Sequence, residues 1–335
     1  MDLNNKTILI TGGTGSFGKA FIRSLLKKFP AVKRIIVFSR DEQKHFEMMN
    51  EISPASYPCM QYLLGDVRDR DRLIEVTGNV DVLIHAAAMK HVPAAEMNPM
   101  ECVKTNILGS QNVIDAALLN KVKVVVALSS DKAVSPVNFY GASKLCLEKL
   151  FTHADFRKGN TDIRFSLVRY ANVFGSKGSV IPFFLKCRGQ GYLPITHPEM
   201  TRFSITMSDA VDLVYYAIDN GWGGDIILPV SASYKIMDVA EAIAPEAEKR
   251  IVGTRAGEKL HETMYTELDS GNTVQRDHYY IICPPDGAGL WNTSDYCKKT
   301  GANRVPENSA CTSNTNSAWL DVPAIKNLVE TFLNQ

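Results

Sequence analysis

A short β-branched segment near the start of the chain leads into a turn with three regularly spaced glycines. Thr7–Thr11 is rich in Thr and Ile, and Gly12, Gly15 and Gly18 follow it as Gly-x-x-Gly-x-x-Gly. Glycine allows a tight turn and a close approach to a pyrophosphate, which rests on the amides of a helix N-terminus. A glycine triplet alone is weak evidence, but here a predicted strand precedes it and a predicted helix follows. The segment therefore predicts a dinucleotide-binding strand, turn and helix.

The first half of the chain alternates apolar, strand-like segments with helical ones. The helical stretches include 19–29 and 100–119. Nearly continuous apolar strands that alternate with helices indicate a parallel sheet covered on both faces. The predicted strands are Thr7–Thr11, Arg34–Ser39, Tyr62–Asp66, Asp81–Ala88, Val122–Ser130 and Arg164–Val173.

Glycine, proline and other turn signals become more frequent after about Gly175. We expect residues 1–175 to form an α/β, doubly wound parallel sheet of the Rossmann type, with sheet elements continuing to about residue 230. We expect residues 176–335 to form mainly a smaller α/β lobe that binds the substrate.

Bulk properties exclude several classes of protein. The 335 residues are 45% hydrophobic with a formal net charge of +1, which indicates a soluble protein and argues against nucleic acid as the main partner. The seven cysteines form no Cys-x-x-Cys pair, and the seven histidines show no metal-ligand spacing, so we expect neither disulfides nor a metal. Without a signal peptide or a membrane-length apolar run, we expect a cytoplasmic protein with no membrane partner.

The end of the second predicted strand bears on the choice between the two nicotinamide dinucleotides. NAD-binding proteins commonly place a carboxylate here, against the ribose hydroxyls. This chain has Ser39 and Arg40 first, with Lys44 nearby, and a hydroxyl with two cations suits a 2′-phosphate. The pattern favours NADP, although Asp41 could turn inward and select NAD.

The next two predicted strands also end in residues suited to a cofactor. Asp66 ends the third strand, where its carboxylate could accept a hydrogen bond from adenine while Val67 packs beside the ring. Ala86, Ala87 and Ala88 end the fourth, and their small side chains let the backbone pass close to a ligand. Since the strand ends lie in series, they predict one edge of the sheet as the binding edge.

Two pairs of titratable residues follow the fifth predicted strand. Tyr140 and Lys144 are four residues apart and so share one face of a helix. An ammonium group beside a phenol favours the phenolate, which would make the tyrosine an acid or base near neutral pH. Asp131 and Lys132, just upstream, add a second proton-transfer pair. We infer a reaction with more than one proton to move.

These motifs together resemble the extended short-chain dehydrogenase/reductase family. The glycine turn, Gly65-Asp66-Val67, the triple alanine, the position of Ser130 and Tyr140-x-x-x-Lys144 all match it. Asp131-Lys132, 88–93, 169–180, 200–203 and 257–262 resemble one branch, the inverting UDP-N-acetylglucosamine 4,6-dehydratases that open pseudaminic acid biosynthesis. A related branch with the same Asp-Lys often lacks the tyrosine, so Tyr140 favours the pseudaminic branch.

The resemblance implies an internal redox cycle on a nucleotide sugar, with NADP held tightly and NAD as the alternative. Tyr140 would accept the 4-hydroxyl proton, with Lys144 on the nicotinamide ribose and Ser130 on the reacting oxygen. Asp131 and Lys132 would remove the C5 proton and protonate the departing C6 hydroxyl, and which of them does which stays open. The resemblance also implies a homo-oligomer, such as a hexamer.

Further site residues follow from the same resemblance. The cofactor-binding residues would also include Thr14, Ser16, Phe17, Lys90, Tyr170 and Val173. The UDP-sugar would contact Lys90, Asn172, Val180, Thr196, Arg202, Arg255 and Glu258.

Two competing functions share these motifs. A UDP-sugar 4-epimerase, or a dehydratase with added epimerase activity, would use the same fold and cofactor, but simple epimerisation needs no elimination pair such as Asp131-Lys132. A non-catalytic NADP-binding sensor would commonly have lost Tyr140 or Lys144, and both are present.

Overall fold

A large mixed sheet organises the protein, as seen in a computed structural model that describes residues 1–176, 178–285 and 291–334. Ten strands of the described residues make up this sheet. They are β1 Thr7–Thr11, β2 Arg34–Ser39, β3 Met60–Leu64, β4 Val82–His85, β5 Val124–Ser130, β6 Arg164–Tyr170, β10 Ile226–Pro229, β14 Thr273–Arg276, β15 Tyr279–Ile282 and β16 Asn303–Arg304.

The strand order is β16-β14-β15-β10-β6-β5-β4-β1-β2-β3. Pairing is parallel from β3 through β10, whereas β15, β14 and β16 add antiparallel pairs at the other edge. The order reverses beside β1, since β2 and β3 lie on one side of it and β4, β5 and β6 on the other. This confirms the predicted doubly wound α/β fold, in which such a reversal opens a crevice for a ligand.

Helices cover both faces of the sheet. Ile8 and Ile10 of β1 lie in one buried cluster with Phe21, whereas Leu9 between them lies in a second cluster with Phe151. This alternation of a strand buried on both sides explains its unbroken apolar sequence. The helices are α1 Ser16–Lys28, α2 Glu42–Glu51, α3 Arg70–Val76, α4 Val92–Met97, α5 Pro99–Cys102, α6 Gly109–Leu119, α7 Phe139–Arg157, α8 Val180–Cys187, α9 Met207–Asn220, α10 Ile236–Ile243, α11 Glu267–Ser270, α12 Thr293–Thr300 and α13 Val322–Leu333.

The second half of the chain also builds a smaller layer with its own core. Phe184, Leu193 and Val239 are buried there together with Ile325 from α13. The described residues also form three small sheets, β11-β9-β7, β12-β8 and β13-β17. Their strands are β7 Asn172–Val173, β8 Tyr192–Ile195, β9 Thr201–Ile205, β11 Ala232–Lys235, β12 Glu248–Ile251, β13 Thr263–Tyr265 and β17 Cys311–Thr312.

The large sheet draws on both halves of the chain. The sequence predicted sheet strands to about residue 230, and three further strands extend the sheet as far as Arg304. The division into a cofactor part, 1–175, and a sugar-binding part, 176–335, stays a prediction. Across the described residues, the helices are all too short or too polar to cross a bilayer.

Candidate active site

The glycine turn is fixed by close backbone contacts. Gly12 has a φ of +66°, and a Cβ added there would lie 2.9 Å from the Cα of Ala87. A Cβ on Gly18 would lie 2.3 Å from the Gly13 carbonyl oxygen. Neither position tolerates a side chain, because the obstructing atoms belong to the backbone. The turn therefore lets the start of α1 pack closely against the ends of β1 and β4.

The N-terminus of α1 fits a pyrophosphate. Gly15 precedes the helix without a capping side chain, and the first turn contains no acidic residue. The first amides of the helix thus have no side-chain acceptor and no carboxylate competing with an anion. Ser16 is exposed at this end, while Phe17 stacks on Phe21 with ring centroids 5.8 Å apart. These features agree with the predicted dinucleotide site.

The predicted 2′-phosphate residues lie together, but each cation has a carboxylate partner. Arg40 lies 3.8 Å from Asp66, and Lys44 lies 2.7 Å from Asp41. Asp41 also caps α2 by accepting a hydrogen bond from the Lys44 amide at 3.0 Å. The pKa of Asp41 is lowered, mainly because its carboxylate is hydrogen-bonded to the Lys44 side chain. The preference for NADP over NAD stays a prediction.

The hydroxyls and the remaining strand-end residues border the same edge. Thr14 Oγ1 and Ser39 Oγ are 3.0 Å apart, which joins the glycine turn to the end of β2. Asp66 accepts two hydrogen bonds from the Arg68 guanidinium, at 2.7 and 2.9 Å. Val67 is buried. The adenine contacts of Asp66 and Val67, and the cofactor contacts of half-buried Ala86, Ala87 and Ala88, stay predictions.

A glycine also sets the position of α7, the helix that contains Tyr140 and Lys144. A Cβ on Gly141 would lie 2.2 Å from the carbonyl oxygen of Lys132, so α7 rests directly on the turn that follows β5. Asn138 caps this helix by accepting a hydrogen bond from the Gly141 amide at 2.8 Å. The contact brings Tyr140, one residue earlier, to the end of β5.

Ser130 and the predicted Asp131–Lys132 pair form one hydrogen-bonded cluster. Ser130 Oγ donates to Asp131 Oδ1 at 2.8 Å, and Lys132 Nζ donates to the same oxygen at 3.0 Å. Asp131 is fully buried, whereas the Lys132 side chain is 26% exposed. Burial lowers the pKa of Lys132, but the Asp131 and Glu262 carboxylates outweigh it, and the pKa lies above the ordinary lysine value. At neutral pH Lys132 is therefore an ammonium ion.

The prediction that Lys144 lowers the pKa of Tyr140 was wrong for the protein alone. Burial has the largest effect and raises the pKa of Tyr140 to about 12; the Lys132 charge and a hydrogen bond with Ser130 act in the opposite direction. Lys144 Nζ instead donates to the Leu128 carbonyl at 2.8 Å, and burial lowers its pKa to about 8. Lys132 is thus the lysine that favours the phenolate.

One predicted substrate residue, Asn172, contacts Lys132, and three others contact one another nearby. Asn172 Oδ1 lies 3.4 Å from Lys132 Nζ. Arg202 is buried, and its guanidinium donates to the carbonyls of residues 201, 259 and 260 while lying 3.6 Å from Glu258. Glu258 in turn lies 3.4 Å from the exposed Arg255. Arg202 is therefore engaged within the protein, and its phosphate contact stays a prediction.

The other predicted residues are more dispersed. Val180 begins α8 and packs against the core of the smaller layer, and Thr196 Oγ1 donates to Met200 Sδ at 3.1 Å. Lys90 is exposed after β4. Tyr170 ends β6, with its pKa raised by burial, and Val173 is buried in β7. Their ligand contacts stay predictions.

Sequence reasoning missed two buried polar residues at the site. Glu262 lies 3.4 Å from Lys132 Nζ. Asn106 sits in a π-helical turn, Val103–Leu108, where it hydrogen-bonds both backbone groups of Met89 and donates to Ser143 Oγ at 2.9 Å. Glu262 ends a segment that supported the resemblance, yet no local spacing connects it to a lysine 130 residues away.

Residues 8–284 match the family model described as "Polysaccharide biosynthesis protein". The chain belongs to this family. A relative from Campylobacter jejuni named UDP-N-acetylglucosamine 4,6-dehydratase (inverting) is 53% identical over 84% of each chain. A relative from Rickettsia conorii named UDP-glucose 4-epimerase is 41% identical over 85% of each chain. A solved structure of Pen from Bacillus thuringiensis is 34% identical, covers 100% of both chains and superposes with a TM-score of 0.88.

Family membership confirms the resemblance to the extended short-chain dehydrogenases/reductases.

The glycine contacts allow a direct test of the dinucleotide site. Gly18→Ala should lower the amount of nicotinamide dinucleotide that copurifies with the protein, because the new methyl group collides with the Gly13 carbonyl. The measurement is the dinucleotide content of denatured samples. Gly189→Ala is the matched control, since no atom lies within 4 Å of its added Cβ. Equal contents in both variants would contradict the site.

Proposed function

We propose that the protein is an inverting UDP-N-acetylglucosamine 4,6-dehydratase, a hydro-lyase that opens pseudaminic acid biosynthesis. Its product would be UDP-2-acetamido-2,6-dideoxy-β-L-arabino-hex-4-ulose. The observation that carries this proposal is the Asp131–Lys132 pair, at 3.0 Å, hydrogen-bonded to the Ser130 that also contacts Tyr140. The name of the Campylobacter jejuni relative supports it.

The residues present fit a tightly bound nicotinamide dinucleotide, and we favour NADP. The N-terminus of α1 would hold the pyrophosphate, and Ser39, Arg40 and Lys44 would surround a 2′-phosphate. Lys144 would bind the nicotinamide ribose. The chemistry that the cofactor supplies when bound is hydride transfer away from sugar C4 and back to sugar C6.

Oxidation at C4 requires a group that takes the hydroxyl proton. Tyr140 is that group, and since burial keeps it a phenol at neutral pH, its own proton needs an acceptor. Ser130 contacts Tyr140 and donates to Asp131 at 2.8 Å, so the proton has a route to the Asp131 carboxylate. Oxidation thus delivers its proton to the elimination pair.

The 4-ketone acidifies the C5 proton and prepares the elimination. The Asp131–Lys132 pair already carries the proton from the 4-hydroxyl. It gives one proton to the C6 hydroxyl, which leaves as water, and accepts the C5 proton in the same step. Because the two groups share a hydrogen bond, a proton on the pair belongs to both of them. After hydride has reached C6, C5 takes up a solvent-exchangeable proton on its opposite face and the pair releases the proton that it still holds. This inverts C5 and returns every group to its starting state.

The remaining assignments extend from the same site. Lys90, Asn172, Val180, Thr196, Arg202, Arg255 and Glu258 would contact the UDP-sugar. We also propose a cytoplasmic homo-oligomer, such as a hexamer, in keeping with the family resemblance.

A UDP-sugar 4-epimerase is the competing function, because the Rickettsia conorii relative carries that name. An epimerase needs a tyrosine and a hydride carrier, but it has no proton to remove from C5. The fully buried Asp131 beside Lys132 is therefore unexplained by epimerisation, since burying a charged pair is costly.

Proton NMR of the purified protein with UDP-N-acetylglucosamine, in deuterated water without added cofactor, tests the function. We expect a new C6 methyl signal, a 4-keto or hydrated product and deuterium at C5. The ring couplings of the product should show inversion at C5. Unchanged substrate from protein that carries dinucleotide would contradict the proposal, and the 4-epimer as product would favour the competing function.

The role of Tyr140 predicts a large kinetic effect of one hydroxyl group. Tyr140→Phe should lower kcat by at least ~100-fold, the loss expected for a positioned acid or base. Turnover is measured from the C6 methyl signal. Tyr57→Phe, at an exposed tyrosine, serves as the control. A near-normal rate for Tyr140→Phe would show that another group starts the oxidation.

The role of Lys132 predicts a variant that still binds the dinucleotide and the UDP-sugar but no longer eliminates water. Lys132→Ala should abolish the C6 methyl signal while dinucleotide content and UDP-N-acetylglucosamine affinity, measured by calorimetry, stay close to those of wild type. Lys149→Ala, at an exposed position of α7, is the control. Full product formation by Lys132→Ala would refute the assigned role.

A further inference from the structure

Glu262 is a buried carboxylate that the reaction scheme above leaves unused. It precedes β13, in the second half of the chain, and only 2% of its surface is exposed. Its Oε1 lies 3.4 Å from Lys132 Nζ and 3.8 Å from Arg202 Nε, while its Oε2 has no hydrogen-bond partner in the described part of the chain. A carboxylate held in this way is costly unless cations balance it.

We propose that Glu262 is a positioning residue for the elimination step, holding the Lys132 ammonium group jointly with Asp131. The two carboxylates approach the ammonium group from different parts of the fold, one from the end of β5 and one from the segment before β13. The Lys132 side chain is 26% exposed and the Glu262 side chain only 3%, so the lysine is the member of this pair that a ligand can reach. Glu262 therefore acts on the sugar only through Lys132.

The charges in this cluster depend on one another. Burial, followed by Asp131, raises the pKa of Glu262, while Lys132 and Arg202 lower it. Glu262 in turn helps to keep Lys132 protonated. The charged or titratable groups that face Lys132 or interact with its charge are Asp131, Glu262, Arg202, Lys259, Tyr140 and Tyr234.

Removing the charge of Glu262 should leave the Lys132 ammonium group less firmly positioned, while the other residues of the site stay in place. Lys132 would keep Asp131 as a partner but lose the second contact that fixes its position. The expected loss of catalysis rests on the proposed function, because it concerns the elimination step. The expected change in the position and protonation of Lys132 is independent of that function.

The test compares Glu262→Gln with wild type in two measurements. The first is the kinetics of methyl formation, where kcat should fall by up to about 100-fold, the effect of a misplacement of about 1 Å, while KM stays close to the wild-type value. The second is NMR of protein carrying carbon-13 at lysine Cε, with the Lys132 signal identified by its absence in Lys132→Ala. In wild type this signal should not titrate up to about pH 10.4, the ordinary lysine pKa. In Glu262→Gln it should begin to titrate within that range, since an opposite charge at this distance shifts a pKa by about 1–3.

Two further variants make the outcomes decisive. Glu262→Asp keeps the charge at a greater distance and should fall between wild type and Glu262→Gln in both measurements, and it carries the test if Glu262→Gln does not fold. Asp155→Asn removes a buried carboxylate 3.0 Å from Lys158, about 22 Å along α7 from Tyr140, and should leave kcat and the Lys132 titration unchanged.

Unchanged kcat and an unchanged Lys132 titration in both Glu262 variants would overturn the proposal. A change in KM alone, with kcat and the Lys132 titration unchanged, would also overturn it. Wild-type protein that forms no methyl product would contradict the proposed function instead, and the Lys132 titration would still decide the role of Glu262.

Discussion

The site depends on a lysine ammonium group held between carboxylates from distant parts of the chain. Lys132 lies 3.0 Å from Asp131 and 3.4 Å from Glu262, and Arg202 lies 3.8 Å from Glu262. Deleting one member of a buried ion pair commonly costs about 3–5 kcal/mol, because its partner stays charged and desolvated. The cluster therefore ties the end of β5 to the segment before β13. In the function that we propose, the same charges also supply and accept the protons of the elimination.

Close backbone contacts make this arrangement possible. Gly141 lets α7 rest on the Lys132 carbonyl, and Gly12 lets the first turn reach Ala87. The Asn138 side chain caps α7 and also donates to the Gly257 carbonyl at 2.8 Å, so α7 is joined to the loop that contains Glu258. The glycine turn before α1, helix α7 and the loop with Glu258 are thus held by close contacts, as the proposed site requires.

Most of the fold could be predicted from the sequence, because its signals are local. The strands Thr7–Thr11 and Arg34–Ser39 were predicted with the bounds that the structure shows. The contacts of Glu262 with Lys132 and Arg202 could not be predicted, since they join residues far apart in the chain. The pKa of Tyr140 was predicted in the wrong direction because burial, which a sequence pattern does not report, outweighs the charge of a nearby lysine.

We propose that one pocket oxidises C4, eliminates water across C5 and C6, and reduces C6 of the same sugar. The most direct measurement uses UDP-N-acetylglucosamine with deuterium at C4, in ordinary water, followed by NMR of the product methyl group. We expect one deuterium in the C6 methyl group, because the hydrogen on C4 would leave as hydride and return to C6 without exchange with solvent. A C6 methyl group without deuterium would show that the hydride does not pass from C4 to C6.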